Sequence, residues 1–340
     1  MQKPKKKLKT ITRKDIARAA GVSETVVSYV TNGNRYVKAE KRQRVLQAIE
    51  ELNYRPNTMA RALKGKNSHH ILFIADDITG EYFGKLISEI DQLLYPQDYF
   101  ISLCADRADE DFVNRIYSHF FDGIIIGSAT FPISSIQRLI DAKVPVVLLE
   151  IRDYSAIQGV HALVNTGLYA GAQTAVSTLY ERGRRKLLLV DRYNPDGNFS
   201  GDDDWRLKGF LAACAEKGIV GTTLSGCAHE DELIDQLVCL LAEKGEVDGI
   251  VGRTDQVALL ALEAAKRAGR TVPTDLSVIG FDNSRLARFS TPKLSSIAVS
   301  QEITASAIVK LLMQLIEAKT SLPARIEQYL DMELIMRESV

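Results

Sequence analysis

The sequence predicts a small all-α head of helix-turn-helix type, followed by a larger α/β body made of two doubly wound lobes. Three observations predict this. Residues 15 to 32 read as two short helices turning at Gly21; from Ile71 onward, short apolar runs alternate with helix-length segments; and charge divides sharply along a chain whose formal net charge is 0. Residues 1 to 68 hold 17 Lys and Arg against 5 Asp and Glu, a formal +12, and the remaining 272 residues carry the compensating −12. A cationic module on an acidic body brings only the head to a polyanion.

Size and composition agree with this division. At roughly one domain per 150 residues, 340 residues make more than one domain. A hydrophobic content of 46% with 25% charged residues excludes a mostly disordered chain. Cys104, Cys214, Cys227 and Cys239 lack the paired spacing of a zinc or redox site and read as reduced, packed thiols. The basic residues 1 to 10 run into polar sequence instead of a signal peptide's apolar core, and no run approaches the roughly 20 apolar residues of a membrane span. These features predict a cytoplasmic protein without a membrane partner.

The head is expected over residues 10 to 53. Thr12 and Asp15 fit a capping box, so the first helix starts there, with Ile16, Ala19 and Ala20 on its inner face. Gly21 supplies the turn and Ser23 the next N-cap. In the second helix Val27 and Val30 face inward, which leaves Glu24, Thr25, Ser28 and Tyr29 outward, facing DNA. Val45, Ala48, Ile49 and Leu52 mark a third helix that closes the core. Basic residues flank the motif on both sides, as phosphate contacts require.

Residues 54 to 68 read as a hinge. Pro56 ends the preceding structure, Asn57 caps a short helix over 58 to 64, and Gly65 stops it. So short a helix is marginal alone and needs a twin or DNA to hold it.

The body is expected over residues 69 to 340. Ile71–Ala75, Tyr99–Leu103, Gly123–Ile126 and Val144–Leu149 read as buried parallel strands of one lobe; Lys186–Val190, Val247–Val251 and Leu276–Phe281 form a second series. The first lobe is placed at about 69–166 and 299–325, the second at about 167–298 and 326–340. Ligands of such lobes bind at the carboxyl ends of strands, so the cleft between the lobes is the expected small-molecule site. Asp76, Asp77, Tyr82, Phe83, Ser128 and Glu150 end strands or open loops there.

Asp15-Ile-Ala-x-x-Ala-Gly-Val-Ser, Val27-Ser28, Asn32 and Leu52-Asn-Tyr-x-Pro-Asn57 resemble the headpiece of the lac repressor (LacI/GalR) family. Trp205-Arg-Leu-Lys-Gly-Phe210, Thr254-Asp-Gln-Val-Ala258, Val278-Ile-Gly-Phe-Asp-Asn283 and Ser300-Gln301 are similar to that family's effector-domain signatures. The resemblance spans nearly the whole chain and implies a periplasmic-binding-protein-like effector domain. It also implies a homodimer on near-palindromic double-stranded operator DNA, controlled by a sugar or related polar effector. It implies DNA contacts from Thr12, Ser23, Glu24, Thr25, Ser28, Tyr29 and Asn32 of the head. From the hinge it adds Asn57, Arg61 and Leu63, with Leu63 as a minor-groove wedge. In the cleft it implies Arg206 and Asp282 gripping ligand hydroxyls, Gln301 at the lobe crossover, and Trp205, Thr254 and Asp255 beside them.

The departures from the family pattern carry information. Thr254 stands where the family usually has Asn, Asn165 where Asp is common, and Tyr29 where many relatives have Arg, so the usual guanine contact is lost and Glu24 is left to accept from a cytosine amino group. The acidic stretch Asn194 to Asp204 argues against a plain monosaccharide, and against an anionic phosphate sugar unless Arg206 and Arg253 dominate. Two other functions weigh less. An enzyme would use paired acids such as Asp76-Asp77, yet the chain has no P-loop, no nucleophile elbow and no metal spacing among its histidines, so no catalytic residue, metal or cofactor is expected. An exported sugar-binding protein would share the body but needs a signal peptide.

Overall fold

In the computed structural model, the structure describes residues 11–32, 35–54, 67–107, 110–242, 246–318 and 320–340. Residues 1–68 and 69–340 form two separate compact units.

Among its described residues the head has three helices, α1 (Arg13–Ala20), α2 (Glu24–Asn32) and α3 (Ala39–Glu51). The Asp15 carboxylate accepts the Thr12 backbone N–H at 2.9 Å and the Thr12 hydroxyl at 2.6 Å, which ties down the first turn of α1. At its other end Gly21 adopts φ 63°, and the Val22 N–H reaches back to the Ala17 carbonyl at 3.0 Å. This is a Schellman ending, and it selects glycine for its backbone, since nothing crowds the place of a Cβ. The Ser23 hydroxyl then caps α2 by accepting the Val26 N–H at 3.3 Å. Ile16, Ala17, Ala20, Val27, Val30, Val45, Ala48 and Tyr54 make the core. Ala19, expected inside, is exposed, and Ala17 takes its place. In Ala-Arg-Ala-Ala the residues are too alike for spacing to distinguish the two faces.

The body begins with a first lobe in which β1 (His70–Ala75), β2 (Phe100–Ala105), β3 (Gly123–Gly127), β4 (Val146–Leu149) and β5 (His161–Asn165) alternate with α4 (Glu81–Leu94), α5 (Glu110–Ser118) and α6 (Ile133–Asp141). The second lobe carries α7 (Leu168–Glu181), β6 (Lys186–Val190), α8 (Trp205–Glu216), β7 (Val220–Leu224), α9 (Glu230–Ala242), β8 (Gly249–Gly252), α10 (Asp255–Arg267), β9 (Ser277–Phe281), α11 (Arg285–Phe289) and β10 (Ser295–Ala298). The chain then returns through α12 (Gln301–Ile316) and β11 (Arg325–Tyr329) to the first lobe, and ends in the second with β12 (Glu333–Ile335). The sheets run β11-β5-β4-β3-β1-β2, all parallel, and β12-β10-β9-β8-β6-β7, with β12 alone antiparallel.

Both faces of each sheet are buried. Ile71, Phe73 and Ala75 of β1 face α4 and α12, while Leu72 and Ile74 between them face α5 and α6. In β6, Leu188 and Val190 pack toward α9 and α10, and Leu187 and Leu189 toward α7 and α8. This is why the strands read as continuous apolar runs. Three crossings join the lobes. At the first, Gly167 holds φ 78° with the Leu330 carbonyl 3.0 Å from where a Cβ would sit, so a side chain there would strain two crossings together. The last crossing falls after Tyr329 and not at 325, because β11 pairs with β5 along the edge of the first sheet.

Five strands went unread in the sequence, and their composition explains it. β10 is Ser-Ser-Ile-Ala, whose serines are buried because the Ser295 hydroxyl accepts the Arg337 N–H and the Ser296 hydroxyl donates to Asp255. Without those distant partners the stretch reads as a loop. β7 and β11 are edge strands with exposed polar residues. Cys239, expected to be packed, lies on the surface. No helix among the described residues is long and apolar enough to cross a membrane.

Candidate functional site

In the head, Ser23, Glu24 and Thr25 are exposed at the start of α2, and Ser28 and Tyr29 are half-buried beside them, opposite the inward Val27 and Val30. Thr12 is exposed at the start of α1, and Asn32 closes α2. The sequence missed Arg35, whose guanidinium carbon lies 5.3 Å from the centre of the Tyr29 ring and whose Nη1 is 3.5 Å from the Tyr29 hydroxyl. A guanidinium therefore stands beside Tyr29 after all, supplied from the loop after α2 and held by cation–π attraction. Asn57, Arg61 and Leu63 lie outside the described residues.

In the body, a cavity of about 790 Å³ opens between the lobes. Strand ends build it. Asp76 and Asp77 follow β1, Arg192 follows β6, Arg253 follows β8 and Asp282 follows β9, so the rule that ligands sit beyond carboxyl ends of parallel strands applies in both lobes. Of the expected residues, Asp77, Tyr82, Phe83, Arg206, Thr254, Asp255, Asp282 and Gln301 line this cavity, as does Asp76.

Several of them are already engaged. Asp77 Oδ1 accepts the Thr79 N–H, the Thr79 hydroxyl and the Gly80 N–H within 3.0 Å, holding its own turn. Thr254 caps α10 through the Val257 N–H, and Asp255 accepts the Ser296 hydroxyl and the Ser284 N–H, each at 2.6 Å. Burial raises the Asp255 carboxyl to about 6 against those hydrogen bonds.

Arg206 and Asp282 are different. Arg206 reaches over the Phe281 ring at 5.1 Å, and its Nε is buried with no acceptor in the protein. Asp282 sits at φ 97°, backbone that a side chain rarely adopts, and burial lifts its carboxyl to about 7 although Arg206 pulls the other way. Burial likewise raises the Tyr82 hydroxyl, and the negative charge of Asp282 adds to it. The Gln301 amide lies 3.4 Å from the Asp282 carbonyl, linking the start of α12 to this corner.

Three expected residues are not brought to the cavity wall. Ser128 is wholly buried, donates to Asp106 and accepts the Thr130 and Phe131 N–H groups, because the turn after β3 needs its hydroxyl inside. Glu150 lies against Arg325 of β11 at 3.6 Å, and burial raises its carboxyl. The Trp205 ring packs edge-on to Tyr169, with the Lys208 ammonium 4.6 Å from its centre.

The acidic stretch is also redirected. Asp203 takes Arg152 of the first lobe at 2.7 Å and Asp204 takes Arg253 at 2.7 Å, so of its acids only Asp196 lines the cavity. Further bonds cross between the lobes: Asp76 to Arg192 at 2.7 Å, Asp153 to Lys208 at 3.2 Å, and the Glu81 carboxylate to the Arg285 backbone N–H at 2.8 Å. Arg192 and Arg253 escaped the sequence reading as principal candidates, although Arg253 directly follows β8, Arg192 stands two residues past the end of β6, and the strand-end rule alone would have found them.

Comparison with known proteins places both regions. A family model described as bacterial regulatory proteins, lacI family, matches residues 12–57, and a periplasmic binding protein-like domain matches residues 176–340. The chain is 30% identical over 334 residues to the catabolite control protein A of Priestia megaterium, covering 93% of this chain and 98% of that one. It is 29% identical over 341 residues to the transcriptional repressor PurR of Pasteurella multocida, covering 97% and 98%. Among solved structures, the lac repressor dimer bound to operator and the anti-inducer ONPF superposes with a TM-score of 0.79 at 22% identity, covering 97% of this chain and 99% of that one. A regulator CelR in complex with cellobiose superposes at 0.68 and 23%, covering 97% and 100%.

Proposed function

Because this chain belongs to the lacI family of bacterial regulatory proteins, a family of DNA-binding transcription regulators and not of enzymes, we propose that it is a repressor acting as a homodimer on near-palindromic operator DNA. On this reading it works in the cytoplasm, and a small polyhydroxy effector between the lobes controls it. The observation that carries the effector's place is the Arg206–Asp282 corner, a guanidinium with an unmet donor beside a carboxyl carried on strained backbone at the end of β9. A planar donor fork and an acceptor side by side grip vicinal hydroxyls. Named relatives include a ribose operon repressor and a sucrose operon repressor, which supports a carbohydrate-like effector.

Control follows by population shift. An effector that binds the closed lobes better than the open ones moves the attachment point near Ser68 and changes whether the two hinges, with Leu63, Arg61 and Asn57, engage DNA together. A thermal-shift panel of polyhydroxy compounds tests the cleft. A ligand at a hundredfold its Kd stabilises by about 2.7 kcal/mol, and Arg206→Ala is expected to lose that shift. A shift retained in full by Arg206→Ala would remove Arg206 from the site.

The head makes a separate prediction. Glu24 and Thr25 are exposed at the N-terminal end of α2, where a reading helix meets base edges. Replacing either with Ala is expected to change which base is preferred by about 1–3 kcal/mol at one position per half-site. Operator-variant binding assays measure this. A loss that is uniform across all sequences would instead assign these side chains to positioning.

A further inference from the structure

Arg192 is the cavity residue whose donors are least accounted for. Its side chain is 14% exposed, and its Nη1 is held by Asp76 of the other lobe at 2.7 Å. Its Nε and Nη2 are both buried and find no acceptor in the protein. Those two N–H groups lie on one edge of the guanidinium and point the same way, the edge that receives a carboxylate through two parallel hydrogen bonds. A charged fork left unmet inside a protein is costly, and folding has no reason to hold it there unless something else completes it. Across the same cavity Arg206 Nε is likewise without an acceptor.

We infer that Arg192 is a specificity-determining residue that receives a carboxylate of the effector on its Nε–Nη2 edge, so that the effector is a sugar acid and not a neutral sugar. The inference rests on the reading of this cleft as the effector site and names the class of ligand for it. The hydroxyls of such a ligand fall to the Arg206–Asp282 corner, and its carboxylate falls to Arg192.

The charge of the cleft permits this. Of the acids that weigh against an anion in the sequence, Asp203 and Asp204 turn out of the cavity and neutralise Arg152 and Arg253, while Asp196 stays on its wall. Asp76 is matched by Arg192 itself and by the Ala129 N–H at 3.0 Å. Exposed Arg285 and Arg288 stand on the cavity wall with Lys85, so an entering ligand meets cations as well as the acids Asp77, Glu81 and Asp196. Because Arg192 comes from the second lobe and its Asp76 partner from the first, a carboxylate that fixes the guanidinium also steadies the bond that joins the lobes.

The test is calorimetric titration of the full chain at pH 7 with D-galacturonate, D-glucuronate and D-gluconate against D-galactose, D-glucose and D-glucitol. At least one acid is expected to bind about 10- to 100-fold more tightly than its neutral counterpart. Arg192→Met is expected to abolish that preference. Arg192→Lys, which keeps a cation opposite Asp76 but has no fork, is expected to lose most of it, and it decides the matter if the Met variant fails to fold. Neutral sugars binding as tightly as their acids, or an acid preference that survives in the Lys variant, would overturn the role of Arg192 and leave the cleft reading standing. Binding of no member of the panel would overturn both.

Discussion

Asp204→Ala is expected to destabilise the body by about 3–5 kcal/mol, the range for removing one partner of a buried ion pair. Asp204 is 1% exposed and its Oδ2 accepts Arg253 Nη1 at 2.7 Å, while Arg253 is itself 7% exposed. Without Asp204, Arg253 keeps Asp191 at 3.5 Å and the more distant charge of Asp76. The same carboxylate caps α8, since Oδ1 accepts the Arg206 N–H at 2.9 Å and the Leu207 N–H at 3.2 Å. The backbone of Arg206 is thus held by the residue two before it, and on the proposed reading of the cleft the substitution should cost effector binding along with stability. Urea unfolding of the variant measures the first effect, and Asp204→Asn, which keeps a capping oxygen, should recover about 1 kcal/mol. A loss below about 1 kcal/mol for the Ala variant would mean that Arg253 does not depend on this partner. The pH dependence has a definite sign. Burial pushes the Asp204 carboxyl up, but Arg253, Arg206 and the Leu207 N–H together hold it below the ordinary carboxylate value of 3.8. Its stabilisation is therefore present above that value and is lost as pH falls through the folded-state value.

Asp282→Asn should do the opposite at alkaline pH. With its carboxyl lifted from 3.8 to about 7, the folded protein holds a proton that the unfolded chain has released. The contribution of Asp282 is present below pH 4 and is lost as pH rises through about 7, leaving a buried charge that works against folding. Replacement by Asn removes that charge, so the variant should be more stable than the parent by on the order of 2–3 kcal/mol at pH 8, with little difference at pH 4. Denaturant titrations at the two pH values check this. Equal stability at pH 8 would show that Arg206 already compensates the charge. A carboxyl whose ionisation costs stability, set in backbone at φ 97°, supports the proposed reading of this corner as a place where function and folding conflict.

Much of the head was legible because its determinants are local. Thr12 with Asp15, Gly21 and Ser23 are caps and a turn acting within a few residues, and Val27, Val30, Val45 and Ala48 declare their face by spacing. The failure at Ala19 came where neighbouring alanines carry no contrast. Apolar strands were legible for the same reason, whereas Ser295 and Ser296 were not, because their burial is permitted by Arg337, Ser339 and Asp255, all distant in sequence.

The candidate site divides along the same line. The strand-end rule located Asp76 and Asp77 at the cleft, and the family resemblance singled out Arg206 and Asp282. Neither could tell that Ser128 turns inward to Asp106, that Glu150 faces Arg325, or that Asp203 and Asp204 turn to Arg152 and Arg253 instead of the cavity. The sequence by itself determined a basic helix-turn-helix head on a two-lobed α/β body, since periodicity, capping and charge distribution are properties of short segments. Only the tertiary structure decided which of the many charged residues at strand ends remain for a ligand. A charge buried in a protein is spoken for or left open by the partner that packing brings to it, and for Asp76 and Arg192 that partner comes from the opposite lobe.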